Sequence, residues 1–268
     1  MRRLPPWIRI VAFSSTARPD ILRDALTVRN TVFGEEEQLL SKPDQDEYDG
    51  LSTTIHIVIY AYSWPVATAR IILSNGEIAR VLGRHFGIGL EDLFDLSPVK
   101  ELGRVVAESG RVAVLKKHRA TVVSQALLAS ITWVARQAGV DILVAAANTE
   151  TDATDSVWLM ARVISARQLK SRLYVIADAP SDPPDHPRKL FYEAEHWKLA
   201  EQGRLRELPL PRTLKLFLLK QKGRVMGDPL YLPEFSRWAF PILALVSRMP
   251  ESPFDLTSSL EHQVPRAT

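Results

Sequence analysis

The run Arg104-Val-Val-Ala-Glu-Ser-Gly-Arg-Val-Ala-Val-Leu115, continued by the basic turn Lys116-Lys-His-Arg119, decides how this chain folds. Alternating and β-branched apolar residues make 104–115 a central strand. From His118 to Gln137 the apolar positions Val122, Val123, Ala126, Leu127, Ile131 and Val134 recur at helical spacing, and Gly139 stands where a helix should stop. Val140 to Ala147 is then a continuous apolar run of the buried-strand type. A strand, a helix and a buried strand in succession imply a crossover unit and a sheet that is at least partly parallel.

Outward from this unit, a helix is expected around Asp152 to Ala166 and a strand at Arg172 to Asp178. Upstream, Ile21, Leu22, Ala25, Val28, Val32 and Phe33 place a first helix in residues 20 to 40, closed by the acidic run Glu35 to Glu37. A polar loop, 41–52, leads to two β-rich runs, Thr54–Tyr62 and Val66–Leu73, which read as a hairpin across Ser63-Trp-Pro65. Residues 74–100 read as loop. Four prolines in Ala179-Pro-Ser-Asp-Pro-Pro-Asp-His-Pro187 mark a linker, because proline continues neither regular element. A charged helix at Lys189–Gln202 and a strand-like run at Thr213–Lys220 follow. The division expected is a core over 1–178, a linker over 179–188 and a C-terminal extension over 189–268.

Composition removes whole classes of function. The chain has 268 residues, no cysteine, 46% hydrophobic and 24% charged residues, so disorder and disulfide scaffolds are excluded. Without cysteine there is no thiol nucleophile, cysteine zinc site or iron–sulfur cluster, and chemistry must come from carboxylates, histidines, hydroxyls or backbone groups. A net charge of +3, from 34 Lys+Arg against 31 Asp+Glu, is too mild to argue for nucleic acid. Arg9 interrupts the N-terminal apolar run, and Trp238–Val246 is too short to span a bilayer, so a cytoplasmic chain is expected. Phe235–Val246 reads either as an amphiphilic element making peripheral membrane contact or as a buried C-terminal helix.

The densest ionisable cluster is Asp44-Gln-Asp-Glu-Tyr-Asp49, whose four acids could bind a cation but which lacks the glycine and spacing of a calcium loop, so it reads as a solvated turn. Two Glu-x-x-Arg segments, Glu101–Arg104 and Glu108–Arg111, could be structural or catalytic. Residues three apart on a regular strand point to opposite faces. Glu108 stands out because its strand leads into a basic helix start, a ready anion site. His186 and His196 have no partner at metal spacing and read as surface residues; Trp133 and Trp158 read as core.

Arg29-Asn-Thr-Val-Phe33, Asp46-Glu-Tyr-Asp49, His56, Val66-Ala-Thr-Ala-Arg70, Glu108-Ser-Gly-Arg-Val-Ala-Val114 and His118-Arg119 occur in the order and spacing of the acyl-homoserine-lactone synthases. Over roughly residues 20 to 180 the chain resembles these enzymes and their relatives in the GNAT acyltransferase superfamily, the long-chain N-acyl amino acid synthases and the hemolysin-like or ornithine-lipid acyltransferases. Leu214–Lys220, Gly223–Pro229 and Glu234-Phe235 are similar to the C-terminal segment of the hemolysin-like group. The resemblance implies an α/β fold with a twisted mixed sheet, splayed central parallel strands and flanking helices. It implies transfer of a fatty acyl chain from acyl carrier protein, or from coenzyme A, to a small amine, with no permanently bound cofactor and no metal.

Carried over by position, Glu108 would be the general base and Arg111 its catalytic companion. Arg29, Asp46, Asp49 and Arg70 would shape the amine site with Arg111, and Phe33 would line the acyl tunnel. Backbone near Val112 and Val114 would polarise the thioester carbonyl, and Lys116, Lys117 and Arg119 would hold the donor's phosphate. Glu101 is the alternative base. An N-acyl amino acid synthase is the leading reading; a lactone synthase using S-adenosylmethionine and a non-catalytic acyl-binding protein are the alternatives.

Overall fold

The computed structural model describes residues 2–267 apart from Ser41, 179–181, Pro184, His186 and Ser258. In chain order the elements are β1 (Ile8–Ser14), α1 (Pro19–Arg29), β2 (Thr54–Ala61), β3 (Trp64–Leu73), α2 (Gly76–Leu82), α3 (Ser97–Lys100), β4 (Val106–Val114), α4 (Val122–Gln137), β5 (Ile142–Asn148), α5 (Thr154–Ala166), β6 (Lys170–Val175), α6 (Ala194–Glu201), α7 (Arg212–Leu214), β7 (Arg224–Gly227), β8 (Leu230–Leu232), β9 (Arg237–Leu245) and β10 (Leu260–Gln263). This is a mixed α/β architecture, as the strand–helix–strand pattern from 104 to 147 implies. The elements fall into two compact units, one of residues 1–89, 104–143 and 246–268, the other of 90–103 and 144–245. Neither is bounded at the proline-rich 179–188.

In the first unit the strand order is β10-β1-β2-β3-β4, with β10 parallel to β1 and the other pairs antiparallel. β2 is buried along its whole length because α1 and α4 both pack on it. Ile55, Ile57 and Ile59 are fully buried, and truncating one such side chain to alanine costs about 2–5 kcal/mol. α1 seats Ile21 and Ala25 against Val11, Val58 and Tyr60. Pro19 presets the first turn of α1, and the Arg18 guanidinium, bonded twice to Asp20 at 2.9 and 2.6 Å, fixes the entry.

The helix expected over 20–40 does not run through as one α-helix. After Arg29 it widens into a π-type turn, Asn30–Glu36. The wider turn brings Val28, Val32 and Phe33 together against Ala113 and Leu115 of the β4 end, a local departure often found at functional sites. α4 starts where Thr121 Oγ1 accepts the Val123 N–H at 3.2 Å. It stops before Gly139, whose φ of +75° suits glycine.

Residues 74–100 are not wholly loop. Asn75 Oδ1 accepts the N–H groups of Glu77 and Ile78, both at 3.1 Å, and starts α2; Gly83, at φ +65°, ends it. At Gly87 (φ +68°) a Cβ would stand 2.5 Å from the Asn75 carbonyl oxygen, so the turn admits no side chain.

In the second unit the strand order is β5-β9-β7-β6, with β8 on β9; β6 and β7 are parallel, and β7 and β8 run antiparallel to β9. Two expectations are overturned here. Phe235–Val246 is neither a membrane element nor a helix: it holds strand β9, with Trp238, Phe240 and Ile242 in the core. Thr213–Lys220 is helical, α7 leading into a π-type turn, Lys215–Lys220, because Leu214 and Leu218, four apart, both enter that core. Short apolar runs carry no periodicity that separates helix from strand. Trp158 is 45% exposed rather than core, and Trp133 is half-buried with its ring 4.7 Å from that of His262. Among the described residues no helix is long and apolar enough to cross a membrane.

Candidate active site

Every residue of the site lies in the first unit, on one face of its sheet. Register sets this: His56 of β2, Arg70 of β3 and Gly110 of β4 form one rung, and Thr54, Ile72 and Glu108 the next rung on the same face. Arg29, at the end of α1, reaches this face with 1% of its side chain exposed.

Three arginines and three aspartates interlock there. Arg29 donates to Asp44 Oδ2 at 2.7 Å and to both Asp49 oxygens at 2.6 and 3.0 Å. Arg70 Nη1 donates to Asp46 Oδ1 at 2.6 Å and to Asp49 Oδ1 at 2.8 Å. Arg111 donates to Asp46 Oδ2 at 3.0 Å, and its Nε lies 3.0 Å from Asp44 Oδ1. The loop that carries the aspartates is folded locally by the same groups. Asp46 Oδ1 accepts the Tyr48 N–H, Asp49 Oδ2 accepts the Asp46 N–H, and the Asp44 N–H donates to Asn30 Oδ1. The acidic run is therefore a charged site rather than a solvated turn.

Burial and pairing set the protonation states. Burial alone would push the Asp49 carboxyl up, but the hydrogen bonds and charges of Arg29 and Arg70 outweigh it and hold Asp49 well below the usual carboxylate range. Burial would lower Arg29 and Arg70, and their aspartates reverse that in both cases. His56 goes the other way: burial brings it down to about 4, outweighing the opposing pull of the Asp49 carbonyl and carboxylate, while the Arg29 and Arg70 charges add lesser downward pushes. The imidazole is neutral at neutral pH. Its Nε2 lies 3.1 Å from the Asp49 carbonyl oxygen, which can only accept, so Nε2 carries the proton.

Strand β4 is irregular where it matters. Between the pairs Thr68–Ala113 and Arg70–Gly110, the single Ala69 of β3 stands against both Arg111 and Val112. Arg111 takes a φ of +50°, a conformation costing on the order of 1–3 kcal/mol for a side-chain-bearing residue. Strict alternation would send Arg111 to the face opposite Arg70; the bulge turns it back, so both guanidinium groups reach Asp46. For the same reason Glu108 and Arg111, three residues apart, share a face.

Glu108 is half-buried and close enough to Arg70 for its charge to help keep that guanidinium protonated. A Cβ on Gly89 would lie 3.2 Å from Glu108 Oε2 and 3.4 Å from the Tyr48 ring, so glycine leaves the carboxylate its room. Glu101 is exposed just after α3, in the second unit.

Beyond the bulge, the half-buried Phe33 packs at the β4 end with Ala113 and Leu115. Arg119 is engaged there: it donates to the Val114 carbonyl at 2.9 Å and pairs with Glu36 at 2.7 Å and Glu37 at 3.0 Å. Glu36 also accepts the Lys116 N–H. Lys116 and Lys117 keep exposed side chains, while Val112 and Val114 are half-buried. Sequence reading gave no role to Asp44, His56, Asn30 or Glu36. Asp44 was visible in the acidic cluster; Glu36 gave no signal beyond its charge. His196 accepts the Glu193 N–H at 3.1 Å and closes the start of α6, and His186 lies outside the described residues. Among the described residues no three His, Asp or Glu side chains group as a metal site.

Residues 24–175 match the family model of the N-acyl amino acid synthase FeeM. The chain belongs to the FeeM family of N-acyl amino acid synthases. Like other FeeM-family members it is an acyltransferase. The match contains Arg29, Asp44, Asp46, Asp49, Arg70 and Arg111, the bulge and Glu108. Among solved structures the chain is similar to a CoA-dependent acyl-homoserine lactone synthase, BjaI, described with SAM and isopentyl-CoA, at 15% identity over 97% of this chain and 95% of that one, with a TM-score of 0.49. It is also similar to FeeM itself, from uncultured soil microbes, at 10% identity over 94% and 96% of the two chains and a TM-score of 0.43. A putative N-acetyltransferase from Lactobacillus plantarum is 17% identical over 67% of this chain and 92% of its own, with a TM-score of 0.37.

Proposed function

We propose that this chain joins a medium or long fatty acyl group, delivered as a thioester on acyl carrier protein or coenzyme A, to the amine of an amino acid or a related small amine. The bulge at Arg111 carries the reading. It puts Glu108 and Arg111 on one face and sets Arg111 and Val112 together against the single Ala69 of β3.

Glu108 accepts a proton from the attacking ammonium, directly or through a water, because only the free amine is nucleophilic. The nitrogen lone pair attacks the thioester carbonyl carbon, backbone N–H groups at Val112 to Val114 steady the developing oxyanion, and the C–S bond breaks as the amide forms. The sulfur leaves as a thiol with a proton of the nitrogen, and no covalent enzyme intermediate is needed, consistent with a chain that has no cysteine. Asp44, Asp46 and Asp49 neutralise the three arginines, so the network acts as a fixed wall of the amine site. Phe33 begins the acyl path beside Leu115, and Lys116 and Lys117 hold the donor's phosphate, with Arg119 braced behind them by Glu36 and Glu37.

Mass spectrometry of lipid extracts from cells expressing the chain tests this. The expected new species is an acylated amino acid. An acyl lactone would make the chain a lactone synthase, and the absence of any new acyl species would leave it a binding scaffold.

A further inference from the structure

At one end of the first unit's sheet two large aromatic side chains face solvent. Tyr62 and Trp64, at the turn between β2 and β3, are 76% and 74% exposed. Tyr62, at φ +57°, is held in place: its N–H donates to the Trp7 carbonyl at 2.6 Å, and its ring stacks on that of Trp7 with 6.1 Å between centroids. Among the described residues Trp64 has no ring partner. Neither the core nor the charged network uses it.

Register shows what lies beside it. Val66, two residues further into β3, accepts the Leu115 N–H at 3.0 Å, and Lys116 follows Leu115 directly. The Trp64 backbone is thus roughly 10 Å from that of Lys116. Tyr60 packs against α1, whereas Trp64 pairs with the next residue, Ala61, so Trp64 lies on the other face of the sheet with Ala67 and its partner Val114. Lys116 and Lys117, both exposed, leave the same strand end. An exposed indole beside two ammonium groups, at the length of one nucleotide, suits a base with its phosphates. This end of β4 lies away from the charged network, so a nucleotide here does not compete with the amine.

We propose that Trp64 selects the acyl donor: its indole stacks on the adenine of acyl-coenzyme A while Lys116 and Lys117 meet the adenosine phosphates. This rests on the acyl-transfer reading and names the donor which that reading leaves open. A carrier protein brings one phosphate and no base, and gives Trp64 nothing to stack on. The acidic run Glu35–Glu37 stands at this strand end too, tied there where Glu36 accepts the Lys116 N–H at 2.9 Å and pairs with Arg119 at 2.7 Å. Those carboxylates oppose the broad surface of an acidic carrier protein, whereas a compact nucleotide meets the two lysines alone. Base–aromatic stacking needs only one open ring face, which Trp64 offers.

The test is calorimetric titration of the full chain with coenzyme A and with 4′-phosphopantetheine, which lacks the adenosine. Coenzyme A should bind more tightly. Trp64→Leu should weaken coenzyme A binding about tenfold and leave phosphopantetheine binding alone, and Trp64→Phe should restore most of the loss. Lys116→Gln with Lys117→Gln should weaken coenzyme A binding and flatten its salt dependence. All three side chains are exposed, and an unchanged circular dichroism spectrum checks folding. Equal affinity of the parent for the two ligands, or equal affinity of the parent and Trp64→Leu for coenzyme A, overturns the proposal. Turnover separates it from the acyl-transfer reading. Amide formed from an acyl carrier protein and not from acyl-coenzyme A overturns the donor assignment and leaves that reading standing. Trp64-dependent coenzyme A binding with no amide from either donor overturns that reading and supports the nucleotide site.

Discussion

Replacing Arg29 with methionine keeps an apolar stem of similar length and removes one buried cation. That cation makes three hydrogen bonds, at 2.7, 2.6 and 3.0 Å, to Asp44 and Asp49, which are 5% and 0% exposed. Each carboxylate keeps one arginine, Arg111 for Asp44 and Arg70 for Asp49, but the network is left with one excess buried negative charge. Stranding a charge in this way costs about 3–5 kcal/mol, a large part of the roughly 5–15 kcal/mol that holds a typical domain folded. With a urea slope of about 2 kcal/mol per molar, the unfolding midpoint at pH 7 should fall by about 2 M. The pH dependence gives a sharper signature. In the parent chain Asp49 titrates below its unfolded value of 3.8, so its contribution is present above that pH and is lost as the pH falls through the folded value. In Arg29→Met the stranded carboxylate titrates higher than in the parent, so acid relieves the penalty, and the gap between the two proteins should narrow as the pH drops toward 4. An unchanged midpoint at pH 7, or a gap that stays constant with pH, would refute the buried-network reading.

Neutral His56 predicts a second pH effect. The unfolded histidine takes up a proton near 6.5 and the folded one only near 4, so stability should fall by about 1.4 kcal/mol per pH unit between those values. A His56→Gln variant should lose that component, and a parent chain equally stable at pH 7 and pH 5 would contradict it. Thr121→Ala removes the cap on the Val123 N–H and should cost about 1 kcal/mol in urea unfolding without altering the fold. Gly87→Ala would push a Cβ against the Asn75 carbonyl and force an unfavourable φ, so a clear loss of thermal stability is expected; an unchanged melting temperature would show that the turn can shift.

The central strand–helix–strand unit was readable because its signals agree: a β-branched run, a helical period over 118–137 and a glycine stop at 139. The hairpin was equally clear. β9 and the Lys215–Lys220 turn were misread because runs of about six to nine apolar residues bury as either element, and the neighbours they pack on decide. The charged network was legible as a set of residue types. What the sequence could not convey was that Arg111 joins it. Alternation places Arg111 on the wrong face, and only the extra residue opposite Ala69 turns it round. Asp44 went unassigned for a related reason, since its role depends on an arginine sixty-seven positions away that the bulge delivers.

The most direct test of the account is the pH dependence of amide formation by Glu108→Gln, assayed as acylated amino acid at saturating acyl donor. The variant keeps the size and polarity of the side chain and removes the base. At neutral pH kcat should fall by about 10²–10⁴ with KM for the donor little changed. Activity should recover about tenfold per pH unit towards the amine's own pKa, where the nucleophile no longer needs a base. A Glu108→Gln protein as active as the parent at neutral pH, with the same pH profile, would contradict the account.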